Sequence, residues 1–86
     1  MVATNAPSRL APIHLFPNPV SDKLTIASSN TGITRYELRS MTGKILKQGI
    51  FEYSGFVEMS AFPAGIYLLY SYRDGLYTGI EKVIKQ

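Results

Sequence analysis

The chain has no cysteine, which excludes disulfide staples, thiolate nucleophiles and thiolate metal sites, and leaves the core to hold the fold alone. Long apolar runs are missing as well. No segment approaches the roughly 20 consecutive apolar residues of a membrane span, and Met1-Val2-Ala3-Thr4-Asn5 lacks the charged start and apolar stretch of a signal peptide. Two expectations follow: a cytoplasmic protein, or a piece of a larger exported precursor carrying an added start methionine. Charge of one sign is never concentrated. Nine Lys and Arg against six Asp and Glu give a net charge of +3 without a run of like charges, which favours solubility and gives no ground for a nucleic-acid partner.

Catalytic groups are sparse too. His14 is the single histidine, and a metal or acid–base site built on it would need convergent carboxylates or a nucleophile that no spacing places beside it. It reads as an ordinary strand residue. Asp22, Glu37, Glu52, Glu58, Asp74 and Glu81 are scattered, and nothing selects a pair among them. Serines without a nucleophile elbow and glycines without a phosphate-loop pattern complete the search. The expectation is a non-enzyme with no metal and no cofactor.

What is present is a small β protein. At 86 residues, 45% hydrophobic and 17% charged, the chain has the composition of one folded domain with one modest core. Residues 1–12, MVATNAPSRLAP, are small and polar with two prolines and read as a linker or tail. Order is expected over residues 13–86. Gly32, Gly43, Gly55, Gly65 and Gly75 recur about every ten residues, the punctuation of a sandwich or barrel. Leu24 and Ile26 alternate with Lys23 and Thr25, and Tyr36 and Leu38 alternate with Arg35, Glu37 and Arg39, as half-buried strands do. Val57 and Met59 are the expected inward residues of a later segment.

Asp74-Gly75 between YLLYSYR and LYTGIEKVIK marks a hairpin, because a two-residue turn with positive φ at both centres suits Asp-Gly. Segments near 13–16, 22–28, 33–40, 44–49, 51–59, 66–73 and 76–85 predict about seven antiparallel strands, an all-β, immunoglobulin-like sandwich. In FPNPVSDKLTI the two prolines fix their own φ, and Pro19 biases Asn18 away from the helical region, so the segment is expected to run into the sheet extended.

Two features leave alternatives open. Tyr67, Tyr70, Tyr72 and Tyr77 crowd the last hairpin, either packing their rings in a thin core with hydroxyls at the rim or offering faces for stacking on sugars. Lys82 and Lys85 fall on opposite faces of the closing strand, where lysine protects an edge from aggregation. Alternatively that strand is what another protein reads, by strand addition.

Several stretches together resemble one family. FPNPVSDKLTI, ELRSMTGKIL, VEMSAFPAGIYLLY and EKVIK occur in order across residues 15–85, and are similar to the type A C-terminal sorting domain of the bacterial type IX secretion system. Pro17, Asn18 and Pro19 match its Pro-Asn-Pro opening, Thr42-Gly43-Lys44 its mid-domain turn, Gly65-Ile66-Tyr67 its Gly-x-Tyr strand start, and Lys82-Val83-Ile84-Lys85 its terminal strand. Phe62 departs from a common leucine, an exchange expected to alter packing.

The resemblance implies an immunoglobulin-like sandwich that directs an attached upstream cargo domain across the outer membrane. Its implied partners are the outer-membrane secretion machinery, namely a shuttle protein and a sortase-like peptidase that removes the domain. The implied location is the periplasm in transit, then the medium or cell surface. Recognition is expected at Gly65, Tyr67, Lys82, Val83, Ile84 and Lys85, with Pro17, Asn18, Pro19 and Gly43 as structural supports. An edge strand also allows a weak homodimer. The rival readings are a carbohydrate-binding accessory module using the tyrosine-rich hairpin and an inert fibronectin-like spacer.

Overall fold

A computed structural model describes residues 13–28 and 32–86; the linker expected over residues 1–12 lies outside them. The described residues form seven strands: β1 (Ile13–Phe16), β2 (Lys23–Ser28), β3 (Ile33–Ser40), β4 (Ile45–Glu52), β5 (Ser54–Glu58), β6 (Gly65–Arg73) and β7 (Leu76–Lys85). All pair antiparallel, in the order β1-β2-β5-β4-β3-β6-β7. β4 meets β5 only through Glu52 and Ser54, so the ladder folds there into a three-stranded layer, β1-β2-β5, facing a four-stranded one, β4-β3-β6-β7. These pairings correspond to the B–E, C–F and F–G neighbours of an immunoglobulin sandwich.

The interior follows from alternation. Leu24, Ile26, Val57 and Met59 from one side meet Tyr36, Leu38, Tyr67, Leu69 and Val83 from the other, all buried. Val20, which lies between β1 and β2, and Phe51 complete the cluster. Burying such side chains contributes about 1.5–3 kcal/mol each relative to exposure, and in a cysteine-free chain this is the main stabilising term.

The turns follow local chemistry. Asp74 and Gly75 have φ of 52° and 76°, with Arg73 paired to Leu76, the hairpin that the dipeptide predicts. Gly43, at φ 95°, closes the β3–β4 turn, where its N–H bonds to the Ser40 carbonyl. The glycine punctuation fails at one point. Gly55 lies inside β5, and the break between β4 and β5 falls at Tyr53, a non-glycine residue at φ 67°. Gly55 is there for space: a Cβ on it would sit 2.8 Å from the Phe51 Cβ.

The FPNPV segment also differs from expectation. After β1, which lies where the first strand is expected, Pro17–Pro19 form bends with both prolyl peptide bonds cis rather than an extended run into the sheet. The segment has to cross from β1 toward β2 at the end of the sandwich, and it does so alongside β7, where Val20 bridges Lys85 in parallel.

Gly55→Ala is expected to destabilise the domain by about 1–3 kcal/mol through overpacking against Phe51, read as a lower urea midpoint with an unchanged slope.

Candidate functional site

Two matched motifs become one piece of sheet. Cross-strand partners are Gly65 and Lys85, Ile66 and Ile84, Tyr67 and Val83, and Leu68 and Lys82. All six expected recognition residues therefore gather at one end of the β6–β7 hairpin. They do not share an environment. Gly65 is exposed at φ 154°, and Lys82 is exposed, while Ile84 is 37% exposed opposite Ile66. Lys85 is half-buried, and its Nζ donates to the Gln86 carbonyl at 2.9 Å. Tyr67 and Val83 point inward and are buried.

Tyr67 has a distinct structural task. Its hydroxyl donates to the Pro63 carbonyl at 2.5 Å, four residues upstream, and its ring lies 5.8 Å from that of Phe62. This is the geometry of a tyrosine corner, which ties the loop before a sandwich strand to the strand itself. Phe62, the departure from the family pattern, supplies an aromatic neighbour to that corner.

The third motif closes over the other side of β7. Asn18 Nδ2 donates to the Lys82 carbonyl at 2.8 Å, and the Ile84 N–H donates to Asn18 Oδ1 at 2.9 Å. Beyond it, the Val20 N–H donates to the Ile84 carbonyl at 2.8 Å and the Gln86 N–H to the Val20 carbonyl at 2.9 Å. Ser21 Oγ reaches Gln86 Oε1 at 3.1 Å. A carboxamide offers one donor and one acceptor side by side, as a peptide unit does, so Asn18 and Val20 together act as a short added strand. Pro17 and Pro19 flank Asn18 without amide hydrogens of their own.

The remaining tyrosines correct the core-packing expectation. Alternation from Tyr67 sends Tyr70 and Tyr72 to the outer face of the four-stranded layer, opposite Ile80 and Tyr77. There the Arg35 guanidinium lies 4.1 Å from the Tyr72 ring centroid and that of Arg39 lies 4.2 Å from Tyr70. Tyr77 contacts both tyrosines, with ring centroids 6.2 Å apart in each pair. Between the arginines sits Glu37, whose side chain is only 8% exposed. It receives Arg35 Nη1 at 2.7 Å, Arg39 Nη2 at 2.5 Å and the Tyr72 hydroxyl at 3.1 Å.

The Arg35 and Arg39 hydrogen bonds hold the Glu37 carboxyl down from its ordinary 4.5 to about 2, against burial, which raises it. Tyr72 shifts upward, first through burial and then through its bond to Glu37. This network was missed because each member looks like an ordinary wet-face residue. The Arg-x-Glu-x-Arg spacing on one strand, which puts three charges on one side, was the signal that could have found it. Among the described residues no group of three or more His, Cys, Asp or Glu could hold a metal ion.

Two outcomes test this geometry. Asn18→Ala is expected to speed hydrogen exchange at the Ile84 amide and cost about 1–3 kcal/mol, and Asn18→Asp to cost more, since a carboxylate oxygen would then face the Lys82 carbonyl. Because the Glu37 value is depressed on folding, its contribution is full above the unfolded value and is lost as pH falls from about 4.5 through about 2. The unmodified chain should therefore lose more stability than Glu37→Gln on acidification across that window, by chemical denaturation at each pH.

Residues 14–86 match the model of the secretion system C-terminal sorting domain family. A comparison with curated proteins finds no match. The match begins within β1 and ends beyond β7, spanning all three motifs that meet at the end of the β6–β7 hairpin. The chain belongs to the secretion system C-terminal sorting domain family of the type IX system.

Proposed function

We propose that this domain is the export address of a longer precursor. It directs an attached upstream cargo across the outer membrane, is recognised there by the secretion machinery, including a shuttle protein, and is then removed by a sortase-like peptidase. Membership of the family supports the sorting role and implies a secreted or cell-surface protein; passage through the periplasm is part of the proposal. Sorting domains of this family are not catalytic, so in this mechanism the domain is the peptidase's substrate and performs no chemistry.

One observation carries the reading furthest: Gly65–Tyr67, Lys82–Lys85 and Pro17–Val20, far apart in sequence, meet at one end of the last hairpin. An address must be folded to be legible. Here Tyr67 and Val83 set the hairpin from inside, while Gly65, Lys82, Ile84 and Lys85 are the groups a receptor reaches. The carbohydrate-binding rival is disfavoured because Arg35 and Arg39 already lie against the faces of Tyr72 and Tyr70.

The test fuses residues 1–86 behind a periplasmic reporter in a host that has the secretion system. The reporter is expected in the medium or at the cell surface, and deleting residues 81–86 should hold it in the periplasm. Undiminished export after the deletion would defeat the terminal-strand assignment. The deletion also removes Val83 from the core, so Lys82→Ala with Lys85→Ala serves as a milder partner that should reduce export without loss of folding.

A further inference from the structure

A sheet can be read by adding a strand to an edge or by docking on a face. The edge of β7 is already occupied over its last residues. Of the groups that point away from β6, the Lys82 carbonyl, the Ile84 N–H and carbonyl and the Gln86 N–H are all bonded to Asn18 or Val20. A strand added there would have to displace four hydrogen bonds before making its own.

Among the described residues, nothing covers the outer face. Along it the cross-strand pairs Ile66–Ile84, Leu68–Lys82 and Tyr70–Ile80 stand side by side, with Ile66 45%, Ile80 42% and Ile84 37% exposed. From Ile80 to Ile84 the strip runs roughly 13 Å at strand rise, and the Tyr72–Tyr77 pair extends it toward the turn. A row of exposed aliphatic and aromatic side chains backed by arginine has the composition of an interface core rather than of ordinary surface.

In the rows that join β3, β6 and β7 its charge is one-sided, and Glu52, opposite Ile33 on β4, lies outside them. Arg39 pairs with Leu68 and Arg35 with Tyr72, so both share this face with Lys82. Glu37, opposite Tyr70, is the carboxylate in those rows, and it is consumed by both arginines. Glu81 alternates to the other side, opposite buried Leu69. Arg35 commits one N–H to Glu37, yet its side chain stays 44% exposed, leaving donors of its fork in contact with solvent.

We infer that a protein partner with an apolar, carboxylate-bearing docking patch reads the outer face of the β6–β7 hairpin, and does not add a strand to the edge of β7. This rests on the sorting reading and specifies its contact surface.

The closing experiment compares the full-chain reporter fusion with Ile80→Asp, Lys82→Glu, Lys82→Gln and Asn18→Ala, with thermal melting of each purified fusion as the folding check. Ile80→Asp and Lys82→Glu should each lower export about tenfold, which corresponds to about 1.4 kcal/mol of binding. Lys82→Gln should lower it less. Asn18→Ala, which frees two of the four edge groups, the Lys82 carbonyl and the Ile84 N–H, should not raise it. Undiminished export by both Ile80→Asp and Lys82→Glu, or a gain from Asn18→Ala, would overturn the face reading while leaving the sorting role intact. An unmodified fusion held in the periplasm would overturn the sorting role and the face with it.

Discussion

Asn18 lies against β7, and much of the molecule depends on that contact. A sandwich of seven strands in two layers leaves open edges, and an open edge invites pairing with other chains. Here a carboxamide and one bridging residue supply what a neighbouring strand would supply, across a separation of 64 residues or more. The same segment sends Val20 into the core, fully buried in the cluster that also holds Val83 and Leu24. Edge protection and core filling are thus achieved by one stretch of chain. Each hydrogen bond there is worth only about 0.5–1.5 kcal/mol net, but together they hold one edge of the last strand, whose other edge is paired to β6.

The two surfaces of the four-stranded layer divide the work of holding and presenting. Inward residues of β6 and β7, Tyr67, Leu69 and Val83, are fixed by packing and by the Tyr67 bond to Pro63. Outward residues of this layer, on β3 as well as β6 and β7, meet solvent, yet they are not loose. Arg35, Glu37, Arg39 and Tyr72 hold one another, with guanidinium groups stacked on tyrosine rings. A surface whose side chains are already ordered loses less conformational freedom when a partner arrives. That is a useful property in a domain whose family role is to be recognised rather than to react.

Most of the strand pattern was legible because it is written locally. Period-two alternation placed β2 and β3, and Asp74-Gly75 placed the last hairpin to the residue. Where local signals misled, the cause was a competing local requirement. Gly55 looked like punctuation but makes room for Phe51, and Tyr53 takes the positive φ that glycine would have advertised. The tyrosines stayed ambiguous for a related reason. Residue type says that Tyr suits either side of a thin sandwich, whereas only its position relative to Tyr67 says which side it occupies.

The all-β class, the strand count, the turn chemistry and the motif set that marks the family could be read along the chain, since each rests on residues a few positions apart. It took the packing of the strands to close Pro17–Val20 over Lys82–Gln86, to make Tyr67 a corner while Tyr70 and Tyr72 face outward, and to enclose Glu37 between two arginines and a tyrosine. Those arrangements join residues of different strands, and a pattern of alternation carries no information about which strands become neighbours. In FPNPVSDKLTI the prolines showed that the chain is stiff; the fold alone showed what Asn18, held between them, bonds to.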